Sequence, residues 1–303
     1  MELKPHQIDK NIIRKRDMIS NSINYINGYP LFSILELNIW GACNRSCSFC
    51  PVSNPNVYTN KNEGISIDLY KKIIIELAEI DYESTILFSA FSEPFLNKNL
   101  KKLIEMTKYY LPKVHLEVNT NGDVIKRNEK KLLSLYDSGL DTVVISVYDG
   151  IEEFKFFEQI QTKYKISHEK YQIRRRYFDK KSGDYGIIFS NRSGTIDIKN
   201  YVGQDDALDN SLPLQKNCFY PFYQTMIDYN GDMLLCPHDW GKEFIIGNLN
   251  KSNIVSLWTS KKNKFAREKL SKKNRSFKPC QTCNVRGDVI GKEMFDAWQR
   301  KKN

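Results

Sequence analysis

Apolar positions along this chain recur at two periods, and the periods take turns. The run Leu31-Phe32-Ser33-Ile34-Leu35-Glu36-Leu37-Asn38-Ile39-Trp40 alternates toward its end and reads as a buried strand. Residues 67–80 space their apolar side chains as an amphipathic helix does. Strands are then expected at 84–89, 114–119 and 142–147, with helices at about 97–110 and 127–138. Alternation at this spacing implies parallel βαβ units, whose chemistry collects at the C-terminal ends of the strands. Each expected strand ends in polar residues: the segment 41–51, Ser92-Glu93-Pro94, Asn119-Thr120-Asn121-Gly122, and Ser146 followed by Tyr148-Asp149-Gly150. Beyond about residue 165 the pattern shortens, with strands expected at 171–178 and 186–190. Residues 199–217 read as a polar linker. A hairpin is expected where 223–228 and 233–235 flank Tyr229-Asn230-Gly231-Asp232.

Composition narrows the class. Apolar residues make up 41% of the 303, enough for a packed core, and no run approaches the ~20 residues of a membrane span. The segment Met1–His6 lacks a signal-peptide core, so the expectation is a cytoplasmic protein without a membrane role. The net charge of +10 fits an acidic partner or a phosphorylated substrate as well as solvated basic faces. The densest basic run, over 261–278, matches no nucleic-acid module and has no aromatic ladder, which points away from nucleic acid.

The seven cysteines carry the chemistry. An odd number argues against a disulfide framework. Cys43, Cys47 and Cys50 form C-x3-C-x2-C directly after the first strand. Three thiolates on a four-iron cluster leave one iron open, whereas structural zinc wants four ligands. Cys218, Cys236, Cys280 and Cys283 fill a site completely. Their spacing leaves zinc and a closed iron–sulfur cluster both open, and by itself favours zinc.

The three-cysteine loop resembles that of the radical S-adenosylmethionine (SAM) superfamily. The resemblance implies a [4Fe–4S] cluster on Cys43, Cys47 and Cys50 whose open iron binds and cleaves SAM. It also implies SAM contacts from Phe49, Ser92, Glu93, Asn121 and Ser146, although Ser92 stands where the family has glycine. Cys218-Phe219-Tyr220-Pro221, Asp228–Asp232, Cys236-Pro237-His238-Asp239-Trp240, Ile246–Leu249 and Cys280-Gln281-Thr282-Cys283 are similar to the SPASM/twitch extensions. That similarity shifts the second site to an auxiliary [4Fe–4S] cluster in the one-cluster form. The implied fold is a partial (β/α)6 TIM-like barrel over 31–198, after a leader over 1–30. A linker over 199–217 and a small iron–sulfur domain over 218–303 follow.

With all seven cysteines assigned, no thiol remains to donate a hydrogen atom. A fully ligated auxiliary cluster suits electron acceptance, so oxidation of an alcohol carbon is the expected reaction. Asn191-Arg192-Ser193-Gly194 resembles a motif of twitch-type enzymes acting on sugars and aminocyclitols, and it makes Arg192 the leading catalytic candidate. Tyr148 and Asp149 follow; Asp239 either orients substrate or caps the cluster loop. Tyr148, Tyr220 and Tyr223 become candidate hydrogen donors only if the reaction is an epimerisation. The expected substrate is a small sugar, nucleotide-sugar or aminocyclitol, and the expected electron donor a flavodoxin or ferredoxin. Radical epimerisation, dehydration and peptide modification are the alternatives. A non-catalytic iron–sulfur or zinc module is the reading from another class.

Overall fold

The computed structural model describes residues 14–16, 18–19, 23–199, 201 and 211–300. Parts of the expected leader and linker, including 1–13 and 202–210, lie outside the described residues.

Four βα repeats and a fifth strand build the first half. They run β1 (Ile34–Leu37), α1 (Ile67–Ala78), β2 (Thr85–Phe88), α2 (Leu100–Tyr110), β3 (His115–Thr120), α3 (Glu129–Asp137), β4 (Thr142–Val147), α4 (Ile151–Lys163) and β5 (Tyr171–Arg175). The second half supplies β6 (Gln224–Ile227), β7 (Asp232–Leu234) and β8 (Ile245–Asn248), then α5 (Ile254–Trp258), α6 (Lys261–Ser271) and α7 (Lys292–Arg300). One sheet takes all eight strands in the order β8-β7-β6-β1-β2-β3-β4-β5.

Strands β1 to β5 are parallel, with Ile34 opposite Thr85, Thr85 opposite His115, Glu117 opposite Thr142 and Val143 opposite Tyr171. The sixth parallel strand differs from expectation. Residues 186–190 are irregular, and β6 instead lies parallel to β1, with Gln224 opposite Ile34. The expected strand at 171–178 likewise stops at Arg175. The hairpin forms as its turn residues require: Gly231 takes a φ of 91°, which suits a residue without a Cβ. Helix α4 had no counterpart in the sequence reading.

Helices cover the outer face of the sheet. Ser66 caps α1 by accepting the Leu69 N–H. That helix buries Leu69, Tyr70, Ile73, Ile74 and Leu77, each contributing on the order of 2 kcal/mol of apolar transfer. In the strands the two-residue period sorts side chains between faces. Leu35, Leu37, Ile86, Phe88, Leu116, Val118, Val143 and Ile145 join the main core. Their neighbours turn the other way and form the inner wall. Arg267 belongs to the basic run but does not join a solvated face. It is buried, its guanidinium 3.8 Å from the Trp258 ring centroid and 3.9 Å from that of Trp298.

Candidate active site

The inner wall is polar. Glu36, Ser89, Asn119, Ser146, Arg174 and Gln224, one from each parallel strand or its end, line a cavity of about 330 Å³. The three-cysteine loop closes one side, and Arg192, Tyr220, Tyr223 and His238 close another.

The cysteine loop is held from both ends. The Gly41 N–H donates to Glu63 O at 2.8 Å, and the Cys50 N–H donates to Cys47 O at 2.9 Å. Arg45 anchors the middle. Its Nε donates to Asp123 at 2.8 Å, and both terminal nitrogens reach the Asp149 carboxylate at 2.8 Å. These hydrogen bonds hold Asp149 below the usual carboxylate range. Glu153 accepts the N–H groups of Tyr148 and Asp149 and pairs with Lys126. The loop is therefore pinned to the ends of β3 and β4, the strands whose termini were expected to bind SAM.

Burial is the main cause that pushes Cys43 up to about 12 and Cys47 up to about 11, with neighbouring thiols adding to it. Bare thiols here stay protonated, and only bound cations make them thiolates. That donor set fits an iron–sulfur cluster. Burial likewise pushes Cys218 up to about 11 and lifts Cys236 and Cys280, with neighbouring thiols adding to it. Their loops are drawn together by buried Arg275, which donates to Lys216 O, Asn217 O and Val285 O. Gly287 passes so close to Cys218 that a Cβ there would lie 2.2 Å from its sulfur. All seven cysteines are free of disulfides.

The residues expected to contact SAM line the cavity, with distinct jobs. The Phe49 ring stacks on Tyr148 at 6.0 Å and meets Phe189 edge-on at 5.3 Å. Ser92 donates to Asn38, which donates in turn to Asp228. Glu93 is buried and accepts from the Phe95 N–H, the Thr120 hydroxyl and the Asn121 N–H. Its carboxylate ties its own loop to the end of β3 and its N–H donates to Ala42 O at 3.0 Å, so three segments meet at it. The Asn121 amide donates to Asn44 at 2.9 Å and reaches the Cys43 sulfur at 3.8 Å. Ser146 and Tyr148 also line the cavity.

Asp149 is not among the lining residues; its carboxylate is taken up by Arg45. Asp239 is fully buried and accepts the Glu243 and Phe244 N–H groups, so it caps the Cys236 loop. Arg192 does reach the cavity. Its Nη1 lies 3.3 Å from Nδ1 of His238, in reach of a hydrogen bond. Burial, then the charges of Arg192 and Lys15, hold His238 well below its ordinary value, so the ring is neutral and Nδ1 can accept.

Sequence reading missed Lys15, Glu36, Arg174, Arg176, Gln224 and His238 as lining residues. Arg174 and Arg176 carried a legible signal, since two residues apart on a strand they share a face. Lys15 carried none, because it reaches the site from before the first strand.

Two family models match the chain. One describes the radical SAM superfamily and covers residues 37–175; the other describes an iron–sulfur cluster-binding SPASM domain and covers 218–284. The chain is a radical SAM enzyme. Its two domains are those of a SAM-cleaving iron–sulfur cluster and an auxiliary one. This radical SAM chain is 26% identical over 260 residues to the S-adenosyl-L-methionine-dependent 2-deoxy-scyllo-inosamine dehydrogenase of Niallia circulans. The match covers 84% of this chain and 93% of that relative. The crystal structure of BtrN in complex with AdoMet and 2-DOIA superposes with a TM-score of 0.68 at 26% identity, covering 85% of this chain and 95% of the other. SuiB of Streptococcus suis bound to its precursor peptide SuiA shares the fold at 13% identity and a TM-score of 0.51, over 90% of this chain and 72% of that one. The radical SAM oxidoreductase reading is thereby established, with the α/β fold and SPASM extension expected from the sequence. No helix among the described residues is long and apolar enough to cross a membrane.

Proposed function

We propose that this enzyme oxidises a hydroxyl-bearing carbon of a small sugar-like or cyclitol substrate to a ketone. One observation carries the reading: the Asn191–Gly194 loop puts Arg192 into the cavity wall while its neighbours are tied to the Cys280–Cys283 loop. Asn191 and Asn284 bond each other, Asn191 Nδ2 donates to Thr282 O at 2.7 Å, and the Thr282 hydroxyl donates to Ser193 O at 2.7 Å. A substrate hydroxyl on Arg192 would lie beside the auxiliary cysteines.

Cys43, Cys47 and Cys50 would hold the SAM-binding cluster, and Cys218, Cys236, Cys280 and Cys283 the auxiliary one. When bound, SAM and the two clusters supply a hydrogen-atom acceptor and a one-electron sink. The chain's own residues do the rest. Arg192 binds the hydroxyl oxygen and stabilises the charge on it while the hydroxyl proton passes to solvent. His238 accepts from Arg192 and holds the guanidinium fork in place. Phe49, Tyr148 and Phe189 form an aromatic wall that excludes water and offers a face to the adenine ring. The relative's printed name, a dehydrogenase acting on 2-deoxy-scyllo-inosamine, supports oxidation. A flavodoxin or ferredoxin in the cytoplasm suits the net charge of +10 and the seven free thiols.

The test is anaerobic turnover of ring-deuterated cyclitols and sugars. Deuterium should appear in 5′-deoxyadenosine, with a ketone formed and one SAM consumed per turnover. Arg192→Gln should lose ketone far more than it loses 5′-deoxyadenosine. A product epimer carrying one solvent deuteron, or one lighter by water, would overturn oxidation.

A further inference from the structure

The basic run over 261–278 takes no part in the cavity, and the fold turns much of it into a surface. Between residues 259 and 279 the sequence holds one carboxylate, Glu268. Arg267 and Arg275 turn inward and are buried. Asn263, Ala266 and Leu270 bury the same side of α6 as Arg267 does. The other side carries Lys261, Lys262, Lys269 and Lys272, spaced three, four or seven residues from Phe265, so they flank it on one helix face. Phe265 is 46% exposed, and Lys269 Nζ lies 5.6 Å from its ring centroid. Lys272 pairs with Glu268 at 2.8 Å, and Lys278, beside the face, pairs with Glu243 at 2.7 Å. Lys262 donates to Ile245 O and lies over the Phe244 ring, and neither contact neutralises it.

The exposed ring leads inward. Phe265 meets Phe277 with centroids 6.0 Å apart, and Phe277 meets Phe244 at 5.8 Å. Phe277 O accepts the Gln281 N–H at 2.9 Å, and Phe244 O accepts the Leu235 N–H at 3.3 Å. Gln281 follows Cys280, and Leu235 precedes Cys236. A row of rings thus runs from the lysine-flanked surface to two of the segments that carry auxiliary cysteines. A small apolar centre among ammonium groups suits a transient interface, in which charge sets encounter rate and orientation. A membrane surface calls for a wider apolar face than one ring offers. Single-stranded nucleic acid calls for a series of stacking rings, and the face presents one.

We propose that this face of α6 docks an acidic one-electron carrier protein of the flavodoxin class, which collects the electron that alcohol oxidation leaves at the auxiliary site. The proposal rests on the oxidation reading and adds to it the route by which the electron departs. Forming the ketone sends a hydrogen atom to the 5′-deoxyadenosyl radical, a proton to solvent and one electron to the auxiliary site. The carrier leaves reduced by that electron. Cleaving SAM consumes one electron, so the exchange balances over a turnover.

The test titrates the anaerobically reconstituted full chain with a recombinant bacterial flavodoxin by calorimetry, at low and at physiological ionic strength. Binding should weaken as salt rises. Lys261→Glu/Lys269→Glu should lower affinity at least about tenfold at low salt, as reversed charge at an electrostatic interface does. Phe265→Ala should lower it at both salts. Lys155→Glu/Lys163→Glu makes the same charge change on α4, which packs on β5 at the far edge of the sheet, and should bind as the parent does. Iron content and dithionite-driven release of 5′-deoxyadenosine should match the parent in each of these variants, which shows that they fold. Electron transfer is read in a pre-reduced triple Ala variant of Cys43, Cys47 and Cys50, as the rate at which the flavin gains one electron. Adding Lys261→Glu/Lys269→Glu should slow that rate about as much as it weakens binding. Three results would overturn the proposal: no flavodoxin binding, equal weakening by the α4 variant, or a transfer rate that the α6 variant leaves unchanged. Phosphatidylglycerol vesicles or single-stranded RNA binding through the same lysines, where flavodoxin does not, would overturn it as well. Docking and transfer that persist while no cyclitol or sugar yields a ketone would sink the oxidation reading alone.

Discussion

Asn191 and Asn284 bond each other reciprocally. Each side-chain oxygen accepts the other's main-chain N–H, at 2.9 and 3.2 Å. The pair ties the loop carrying Arg192 to the segment just past Cys283, so the catalytic candidate and the auxiliary cysteines keep a fixed relation. Asn191→Ala should cost roughly 1–3 kcal/mol of local stability through orphaned polar groups. Turnover should fall about tenfold or more, as misplacement near the chemistry does, while iron content holds. Unchanged product formation in Asn191→Ala would show the latch to be irrelevant.

Metal content separates the two cysteine groups. Reconstituted protein should hold about eight irons, and a triple Ala variant of Cys43, Cys47 and Cys50 about four. Iron and zinc analysis decides the matter: zinc with only four irons in the intact protein would return the second site to zinc.

Gly287 is a steric control on the auxiliary site. A Cβ at 2.2 Å from the Cys218 sulfur would displace that ligand. Gly287→Ala should therefore lose the auxiliary cluster and retain the other, leaving about four irons. The paramagnetic spectrum of the reduced variant should show one cluster where the parent shows two. A variant with both clusters intact would mean the backbone yields.

Arg45 gives the converse. Removing it breaks charged hydrogen bonds worth roughly 1.5–3 kcal/mol each at a partly buried site. Arg45→Met should lose the SAM-site cluster while keeping the auxiliary one, and 5′-deoxyadenosine release should stop. Full SAM cleavage by Arg45→Met would show that the cysteine loop needs no anchor.

Glu93 carries a pH signature. Burial is the main cause that lifts its carboxyl from 4.5 to about 7. Folding thus favours its neutral form. That contribution is complete below about 4.5 and is lost as pH rises through about 7. The loss is at most on the order of 3 kcal/mol at 1.36 kcal/mol per pKa unit. Between pH 5 and 8 the parent should lose thermal stability relative to Glu93→Gln, measured on SAM-free protein by calorimetry. Parallel pH profiles for the two would refute the assignment.

The sequence by itself determined the chemistry and the repeat. Cysteine grouping separated a three-thiol site from a four-thiol one, and the family resemblance, not the spacing, made the second a cluster. Alternating periods gave parallel strands, because burial on one or both faces shows in the order of residues. It could not decide which segment fills the sixth parallel place. Residues 186–190 carry a strand-like run, yet the partner of β1 is β6, far along the chain. Pairing across that distance depends on competing contacts that no local window holds. It also could not see that three segments meet at Glu93, that Arg45 removes Asp149 from the cavity wall, or that His238 meets Arg192. Those relations form only when loops after different strands converge, and the parallel pairing of those strands sets their ends side by side.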